Sequence, residues 1–204
     1  MKALLLVDIQ NDFCPGGALA VPRGDEVVAV ANRLAPRFPV VVATQDWHPA
    51  NHGSFAANNP GKQPYDSGLL GGLPQVMWPA HCVQESAGAA FHPALDRARI
   101  QQVFPKGTDP AIDSYSGFFD NGKRKSTGLG DWLRAHDVDE VVVLGLATDY
   151  CVRATALDAA GLGFAVTLVE DGCRAVELAP GDGARALDDL RAAGVKIVRS
   201  EALL

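Results

Sequence analysis

The chain has 204 residues, of which 48% are hydrophobic, and its formal net charge is −6 at pH 7. This length fits one domain with a sizeable core. The acidic balance, with no basic run longer than the segment at 122–126, argues against a nucleic-acid or anionic-membrane partner. Asp8 interrupts the apolar N-terminal run before it reaches the length of a signal sequence or a membrane span, so we expect a cytoplasmic protein.

From the N-terminus onward, short apolar runs alternate with amphipathic segments. The apolar runs predict six strands, at residues 2–8, 39–44, 100–104, 139–147, 164–171 and 195–200. The amphipathic segments predict four helices, at residues 24–38, 126–137, 148–161 and 180–194. This alternation is typical of a parallel sheet covered on both faces. We therefore predict an α/β fold: one three-layer αβα domain over residues 1–204, with a six-stranded, mainly parallel, Rossmann-like sheet.

The segment at 45–98 breaks this rhythm, since it is rich in Gly, Pro, His and Trp and shows little periodicity. A loop region of that length in a compact domain is usually functional. At its start, Asp46 and His48 are two residues apart, so on an extended chain their side chains point to the same side, as metal ligands do. An isolated Asp-x-His pair more often belongs to an ordinary polar loop that leaves a sheet. Whether this pair binds a metal therefore depends on other residues of the chain.

Chemically active side chains stand at the carboxyl ends of four predicted strands. Asp8 follows the first strand, Asp46 and His48 follow the second, Lys106 follows the third, and Cys151 lies just past the fourth. The carboxyl ends of parallel strands share one edge of the sheet, which is where such folds bind ligands. We therefore expect these side chains to converge on one site.

Cys151 is the candidate nucleophile of that site. It lies where a strand turns through Thr148 and Asp149 into a helix, and we expect the helix dipole to lower the pKa of its thiol. Free backbone N–H groups at this turn can receive a developing oxyanion. Asp8 can take the thiol proton, while the Lys106 ammonium keeps that carboxylate ionised. The residues predict a cysteine hydrolase that needs no histidine base.

At these positions the chain resembles the nicotinamidases, within the isochorismatase-like cysteine hydrolases. The motifs that carry the resemblance are, in order, "LLLVDIQNDFCPGGALAV", "TQDWHPANHGSF", "WPAHCVQ", "FPKGTD", "DSYSGFFD" and "GLATDYCVRATALDA". The resemblance covers essentially the whole chain. It implies a catalytic triad of Asp8, Lys106 and Cys151. It also implies an oxyanion hole made by the N–H groups of Ala147 and Cys151, with a cis peptide between Leu146 and Ala147.

The same resemblance implies a metal site. Asp46 and His48, joined by His81, match residues that hold one divalent ion, for which we expect zinc, with manganese or iron as alternatives. Two imidazoles and one carboxylate leave coordination positions open for water or substrate. His52 is a candidate fourth ligand, because only some relatives use a histidine there. The resemblance therefore favours metal ligation over an ordinary polar loop for Asp46 and His48.

The implied activity is hydrolysis of nicotinamide to nicotinate and ammonia in NAD salvage, with pyrazinamide as a further substrate. Phe13 and Trp78 match the residues that sandwich the pyridine ring, whereas Tyr115 lies in a matching loop without an assignable role. A homo-oligomer is compatible with the sequence. Two alternatives stay open: a hydrolase of the same superfamily for another amide or for isochorismate, and a non-catalytic metal-binding or thiol-sensing module. The cysteines expected to be structural are Cys14, Cys82 and Cys173.

Overall fold

A computed structural model describes all 204 residues. Its strands are β1 (Lys2–Val7), β2 (Val40–Asp46), β3 (Ser67–Leu70), β4 (Leu73–Val76), β5 (Gln102–Lys106), β6 (Glu140–Leu146), β7 (Ala165–Arg174) and β8 (Lys196–Val198). Six of them form one parallel sheet in the order β5-β2-β1-β6-β7-β8. Strands β1, β2 and β6 occupy its middle and are almost entirely buried, which explains their unbroken apolar runs. The predicted α/β fold is confirmed.

The helices are α1 (Glu26–Leu34), α2 (Leu129–Ala135), α3 (Arg153–Gly161) and α4 (Asp182–Ala192). Helix α1 packs against β6 and β7 on one face of the sheet, whereas α3 packs against β7 and against α4. The connections through α1 and through α3 run in opposite directions along the sheet, so right-handed crossovers place these helices on opposite faces. None of the helices combines the length and apolar character that crossing a lipid bilayer requires.

The segment at 45–98, predicted as a loop region, contains the antiparallel hairpin β3–β4. The hairpin was missed because its strands are four residues long and contain Gly68 and Pro74, both unfavourable in strands. Elsewhere the segment is held by backbone bonds, such as those from the His48 N–H to the Cys82 carbonyl, at 3.0 Å, and from the Gln84 N–H to the His48 carbonyl, at 2.8 Å. These bonds hold the segment as ordered structure beside the carboxyl ends of β1 and β2.

Gly145 lets β6 bend near its carboxyl end. Its φ is 133°, and an added Cβ would lie 2.1 Å from the carbonyl oxygen of Val7 on the neighbouring strand. The pairing of β6 with β7 shifts between Val143 and Gly145. Only glycine combines this conformation with so close an approach.

We therefore expect Gly145→Ala to lower the free energy of unfolding by about 2 kcal/mol or more, measured by urea denaturation. Gly161→Ala is the matched control, because a Cβ there meets nothing within 4 Å and alanine favours the helix. Equal unfolding midpoints for the two variants would contradict this reading of the bend in β6.

Candidate functional site

The structure brings the four predicted strand ends together at one edge of the sheet. Asp8 directly follows β1, Asp46 ends β2, and Lys106 ends β5. Cys151 lies in the nucleophile turn, a π-helical turn over Thr148–Val152 that joins β6 to α3. All four of these side chains are buried, so their charges and protons are controlled by one another more than by water.

Lys106 is the electrostatic centre of the site. Its ammonium Nζ lies 2.9 Å from Asp8 Oδ2, 2.5 Å from Asp46 Oδ1 and 3.3 Å from Cys151 Sγ. It also donates to the Ser114 carbonyl at 3.0 Å. Burial opposes the charge on Lys106, but the two carboxylates outweigh burial and hold its pKa well above the usual value. One ammonium therefore compensates two buried carboxylates beside the thiol.

Asp8 is the candidate base. Thr44 Oγ1 donates to Asp8 Oδ1 at 2.6 Å, which fixes the orientation of the carboxylate. Burial raises the pKa of Asp8, Lys106 opposes that rise, and the nearby Asp46 carboxylate adds to it. An Asp8 carboxylate oxygen and Cys151 Sγ lie within 4.8 Å of each other, a separation that a small side-chain movement or one water spans. The geometry suits proton exchange between the two groups.

The expectation that the helix dipole depresses the pKa of Cys151 is wrong. Burial raises the pKa of this thiol well above its usual value, Lys106 opposes the rise, and Asp8 and Asp46 add to it. Loss of hydration in the buried site is the main cause, and it outweighs any lowering by a helix terminus. A base must therefore take the proton of Cys151 before the sulfur can attack a substrate.

Ala147, which directly follows β6, has a backbone N–H group without a partner in the protein. The Leu146–Ala147 peptide is cis, as the family resemblance implied. The Ala147 carbonyl accepts the N–H groups of Tyr150 and Val152, at 3.2 and 3.0 Å, whereas the Ala147 N–H makes no hydrogen bond within the protein. Ala147 and Cys151 line the same pocket, so the free N–H is available to a ligand oxygen.

The predicted metal residues face one another. His48 Nδ1 donates to the Gly107 carbonyl and His81 Nδ1 to the Pro79 carbonyl, each at 2.8 Å. Each ring therefore turns its Nε2 toward Asp46 Oδ2, at 3.5 and 3.7 Å, and although burial opposes the rise, Asp46 raises the pKa of His48. Two imidazoles and a carboxylate that face one another suit a cation, and backbone acceptors at Nδ1 are typical partners of metal-bound histidines.

His52 lies beside this set, with its ring centroid 4.4 Å from that of His48. Its Nε2 is buried without a hydrogen-bond partner, and burial and the nearby His48 lower the pKa of the ring to about 4. The Ser54 N–H donates to His52 Nδ1 at 3.2 Å, so the proton of a neutral ring lies on Nε2. In addition, His52 groups with His48 and Asp113, whereas Asp46, His48 and His81 form a separate group. A fourth-ligand role for His52 stays a prediction.

The thiol and the Asp46–His48–His81 set line one pocket. Its apolar and aromatic wall consists of Phe13, Leu19, Trp78, Tyr115, Tyr150 and Val176. The Trp78 indole N–H donates to the Tyr115 hydroxyl at 3.1 Å, which fixes the plane of the indole. The wall is mostly apolar and aromatic, which suits an aromatic ring.

Sequence reasoning missed Leu19, Asp113, Tyr150 and Val176 as pocket residues. Tyr150 could have been found, because it adjoins Cys151 in the nucleophile turn. Asp113 and Val176 belong to connections between elements, and no spacing in the chain links them to Cys151. Only the tertiary fold brings them to the pocket.

The other three cysteines lie apart from the pocket, and their structural role stays a prediction. Cys14, Cys82 and Cys173 are buried free thiols outside the pocket. Burial raises the pKa of Cys14 to about 11 and that of Cys173 to about 12, and it raises the pKa of Cys82 well above its usual value. The thiol pKa of Cys151 is raised as well, so what distinguishes Cys151 from these three is its place in the pocket.

Comparison with known proteins agrees with this geometry. Residues 2–202 match the isochorismatase domain family. The chain is 58% identical over 200 residues to a nicotinamidase of Escherichia coli (strain K12), a match that covers 96% of this chain and 93% of that relative.

Two solved structures share the fold. A nicotinamidase/pyrazinamidase from Acinetobacter baumanii superposes with a TM-score of 0.97 at 45% identity, covering 100% of this chain and 98% of the other. A pyrazinamidase of Pyrococcus horikoshii in complex with zinc superposes with a TM-score of 0.79 at 39% identity, covering 97% and 98%. The chain therefore belongs to the isochorismatase family and, within it, to the nicotinamidases.

Proposed function

We propose that this chain hydrolyses nicotinamide to nicotinate and ammonia, and pyrazinamide by the same route. The observation that carries the proposal is the Cys151 thiol, placed with Lys106 and Asp8 against an aromatic pocket. The names of the Escherichia coli and Acinetobacter relatives support the choice of substrates.

The first half of the proposed reaction forms a thioester. Asp8 takes the proton from Cys151, and the sulfur attacks the carboxamide carbon of the substrate. The N–H groups of Ala147 and Cys151 receive the charge that develops on the carboxamide oxygen. The C–N bond then breaks, Asp8 returns its proton to the departing ammonia, and the acyl group remains on sulfur. Lys106 stabilises the thiolate at 3.3 Å from Sγ.

The second half hydrolyses the thioester. Asp8, ionised again, accepts a proton from the attacking water, and the C–S bond breaks to release nicotinate. The proton held by Asp8 then returns to the Cys151 sulfur, which restores the resting thiol. Asp8 thus alternates between base and acid, a task to which a raised carboxyl pKa is suited.

Asp46, His48 and His81 would hold one divalent ion, for which zinc is expected and manganese or iron are alternatives. The zinc complex of the Pyrococcus relative supports this assignment, as do the two imidazoles and the carboxylate that face one another. When bound, the ion supplies a Lewis-acidic coordination position for a ring nitrogen or for water. Phe13 and Trp78 would hold the ring between them, with Trp78 oriented by Tyr115.

Ammonia release by the purified, zinc-loaded chain tests this function. The amides are nicotinamide, pyrazinamide and benzamide, and isochorismate is assayed separately by its own cleavage. We expect turnover of the first two and no cleavage of isochorismate. Failure to release ammonia from nicotinamide would contradict the proposed function.

The ring nitrogen provides a sharper test. Benzamide has the shape and the carboxamide of nicotinamide but lacks that nitrogen, so it cannot occupy the coordination position that Asp46, His48 and His81 would leave open. We expect kcat/KM for nicotinamide to exceed that for benzamide by at least ~10²-fold. Similar kcat/KM values for the two amides would show that the site does not bind the ring nitrogen specifically.

The companion variant is His48→Ala. We expect this variant to bind less zinc, measured by elemental mass spectrometry. We also expect it to lower kcat/KM for nicotinamide more than kcat/KM for benzamide, so that the ratio of the two falls. His92→Ala is the control, because His92 lies outside the pocket and outside the candidate ligand groups. Unchanged zinc content in His48→Ala would contradict the ligand assignment.

A further inference from the structure

We propose that the connection between β7 and α4 is a strap that sets the size limit of the substrate pocket, and that Asp149 is the positioning residue that holds it. The strap comprises residues 175–181. This inference rests on the proposed function, because the pocket concerned is the one in which the amide would be cleaved.

The strap reaches the pocket through one side chain. Val176 lines the pocket together with Tyr150 and Cys151, and it packs against the hydrophobic core. Residues 175 and 176 are half-buried, whereas residues 177–180 are exposed, with Leu178 40% exposed. Apolar packing therefore contacts only the first part of the strap. Hydrogen bonds must hold the strap as a whole in position.

Asp149 supplies the bonds that hold this first part in place. Its Oδ1 accepts the Val176 N–H and its Oδ2 accepts the Glu177 N–H, each at 2.9 Å. One carboxylate thus fixes two consecutive backbone groups, which is stronger and more directional than a single neutral bond. Asp149 lies two residues before Cys151 in the nucleophile turn, so the nucleophile and the strap are held by the same structural element.

The far end of the strap is fixed independently of the pocket. Glu177 accepts the N–H groups of Gly181 and Gly183, at 2.7 and 2.8 Å, and Asp182 accepts that of Ala179 at 2.8 Å. These bonds lie within the strap or at the start of α4. Asp149 is therefore the side chain that couples the strap to the nucleophile turn, and without its carboxylate the Val176 backbone loses the hydrogen bond that keeps it beside the pocket.

The consequence is a specificity filter for aromatic carboxamides. With Val176 held in place, the wall admits a single six-membered ring and excludes a ring enlarged by substituents or by fusion. Removing one of the two bonds to the strap should relax this limit, because the wall can then recede. The filter acts on the size of the ring, whereas the Asp46–His48–His81 set is expected to act on its nitrogen.

The test compares nicotinamide with its ring-fused analogue, quinoline-3-carboxamide, in Asp149→Asn, in Val176→Ala and in the double variant. The asparagine is nearly isosteric but offers only one acceptor, so it can keep at most one of the two bonds. We expect each single variant to raise the kcat/KM ratio of the fused over the single-ring amide by about tenfold or more. The double variant should exceed Val176→Ala by little, because Asp149 acts through Val176. In Asp149→Asn, KM for nicotinamide should rise more than kcat falls.

Asp182→Asn is the matched control, since that carboxylate bonds the far end of the strap and not the nucleophile turn. It should leave the ratio unchanged. A ratio unaltered in Asp149→Asn and Val176→Ala, or effects that add in the double variant, would overturn the proposal.

Hydrogen–deuterium exchange of the peptide spanning residues 175–181 provides a readout that needs no turnover. We expect faster exchange of this peptide in Asp149→Asn than in the wild type, because two strap amides lose their charged acceptor. Exchange unchanged from the wild type would overturn the positioning role even if no substrate were turned over. If the peptide exchanges faster in Asp149→Asn but the wild type releases no ammonia from nicotinamide, the proposed function is overturned and the positioning role stands.

Discussion

Replacing Cys151 with alanine is expected to lower ammonia release from nicotinamide by at least ~10⁴-fold, because the proposed reaction has no route without the sulfur nucleophile. The fold should persist, since the change removes one buried atom and costs on the order of 1 kcal/mol. Zinc content should also persist, because Asp46, His48 and His81 are unaltered. Activity, urea unfolding and bound metal are measured on the same preparation.

Cys173→Ala is the control for this variant. Cys173 is likewise a buried thiol, and burial raises its pKa to about 12, but it lies in β7 and outside the pocket. We expect this variant to keep its turnover with a comparable loss of stability. Ammonia release retained in Cys151→Ala, or lost equally in both variants, would contradict the assignment of the nucleophile.

Replacing Lys106 with methionine is expected to damage both activity and stability. The ammonium contacts Asp8 and Asp46, at 2.9 and 2.5 Å, and all three side chains are buried. Without it, two carboxylates face each other inside the protein with no compensating charge. Breaking such a buried pair costs about 3–5 kcal/mol. Loss of the group that stabilises the thiolate and orients the base should lower kcat/KM by ~10³-fold or more.

The comparison variant is Lys123→Met, which also removes an ion pair. Lys123 pairs with Asp158 at 2.7 Å, but its side chain is 68% exposed. A solvent-exposed pair contributes at most about 1 kcal/mol, so this variant should keep its activity and nearly all of its stability. Similar unfolding free energies for Lys106→Met and Lys123→Met would contradict the central electrostatic role of Lys106.

The parts of the fold that could be predicted are those in which burial leaves a mark on the sequence. Strands β1, β2 and β6 are covered on both faces, so they read as unbroken apolar runs and imply a parallel sheet. The convergence of Asp8, Lys106 and Cys151 followed from that sheet, because the carboxyl ends of its strands meet at one edge. The hairpin β3–β4 has no comparable apolar run, since its strands are four residues long and most of their residues are exposed or half-buried.

The candidate metal site shows the same division. Asp46 and His48 were found by their spacing, because both follow β2 directly. His81 was found only through the family resemblance. What brings it near is a bridge between His48 and Val83 and the turns around it, and these depend on the tertiary fold.

The electrostatics and the strap could not be predicted from the order of residues. The pKa of Cys151 is raised chiefly by burial and is adjusted by Lys106, Asp8 and Asp46, three charges from distant parts of the chain. The bonds of Asp149 to Val176 and Glu177 join positions 27 and 28 residues apart. Neither effect is visible as periodicity, motif or spacing.

The central claim is that the acyl group of nicotinamide passes through the Cys151 sulfur. The most direct measurement is peptide mass spectrometry of acid-quenched samples, taken through a single turnover with the zinc-loaded enzyme in excess over nicotinamide. We expect a nicotinoyl thioester on the peptide that carries Cys151, rising as ammonia appears and decaying as nicotinate forms. Complete conversion to nicotinate with no acyl group on Cys151 at any time, or with the acyl group on another residue, would contradict the account.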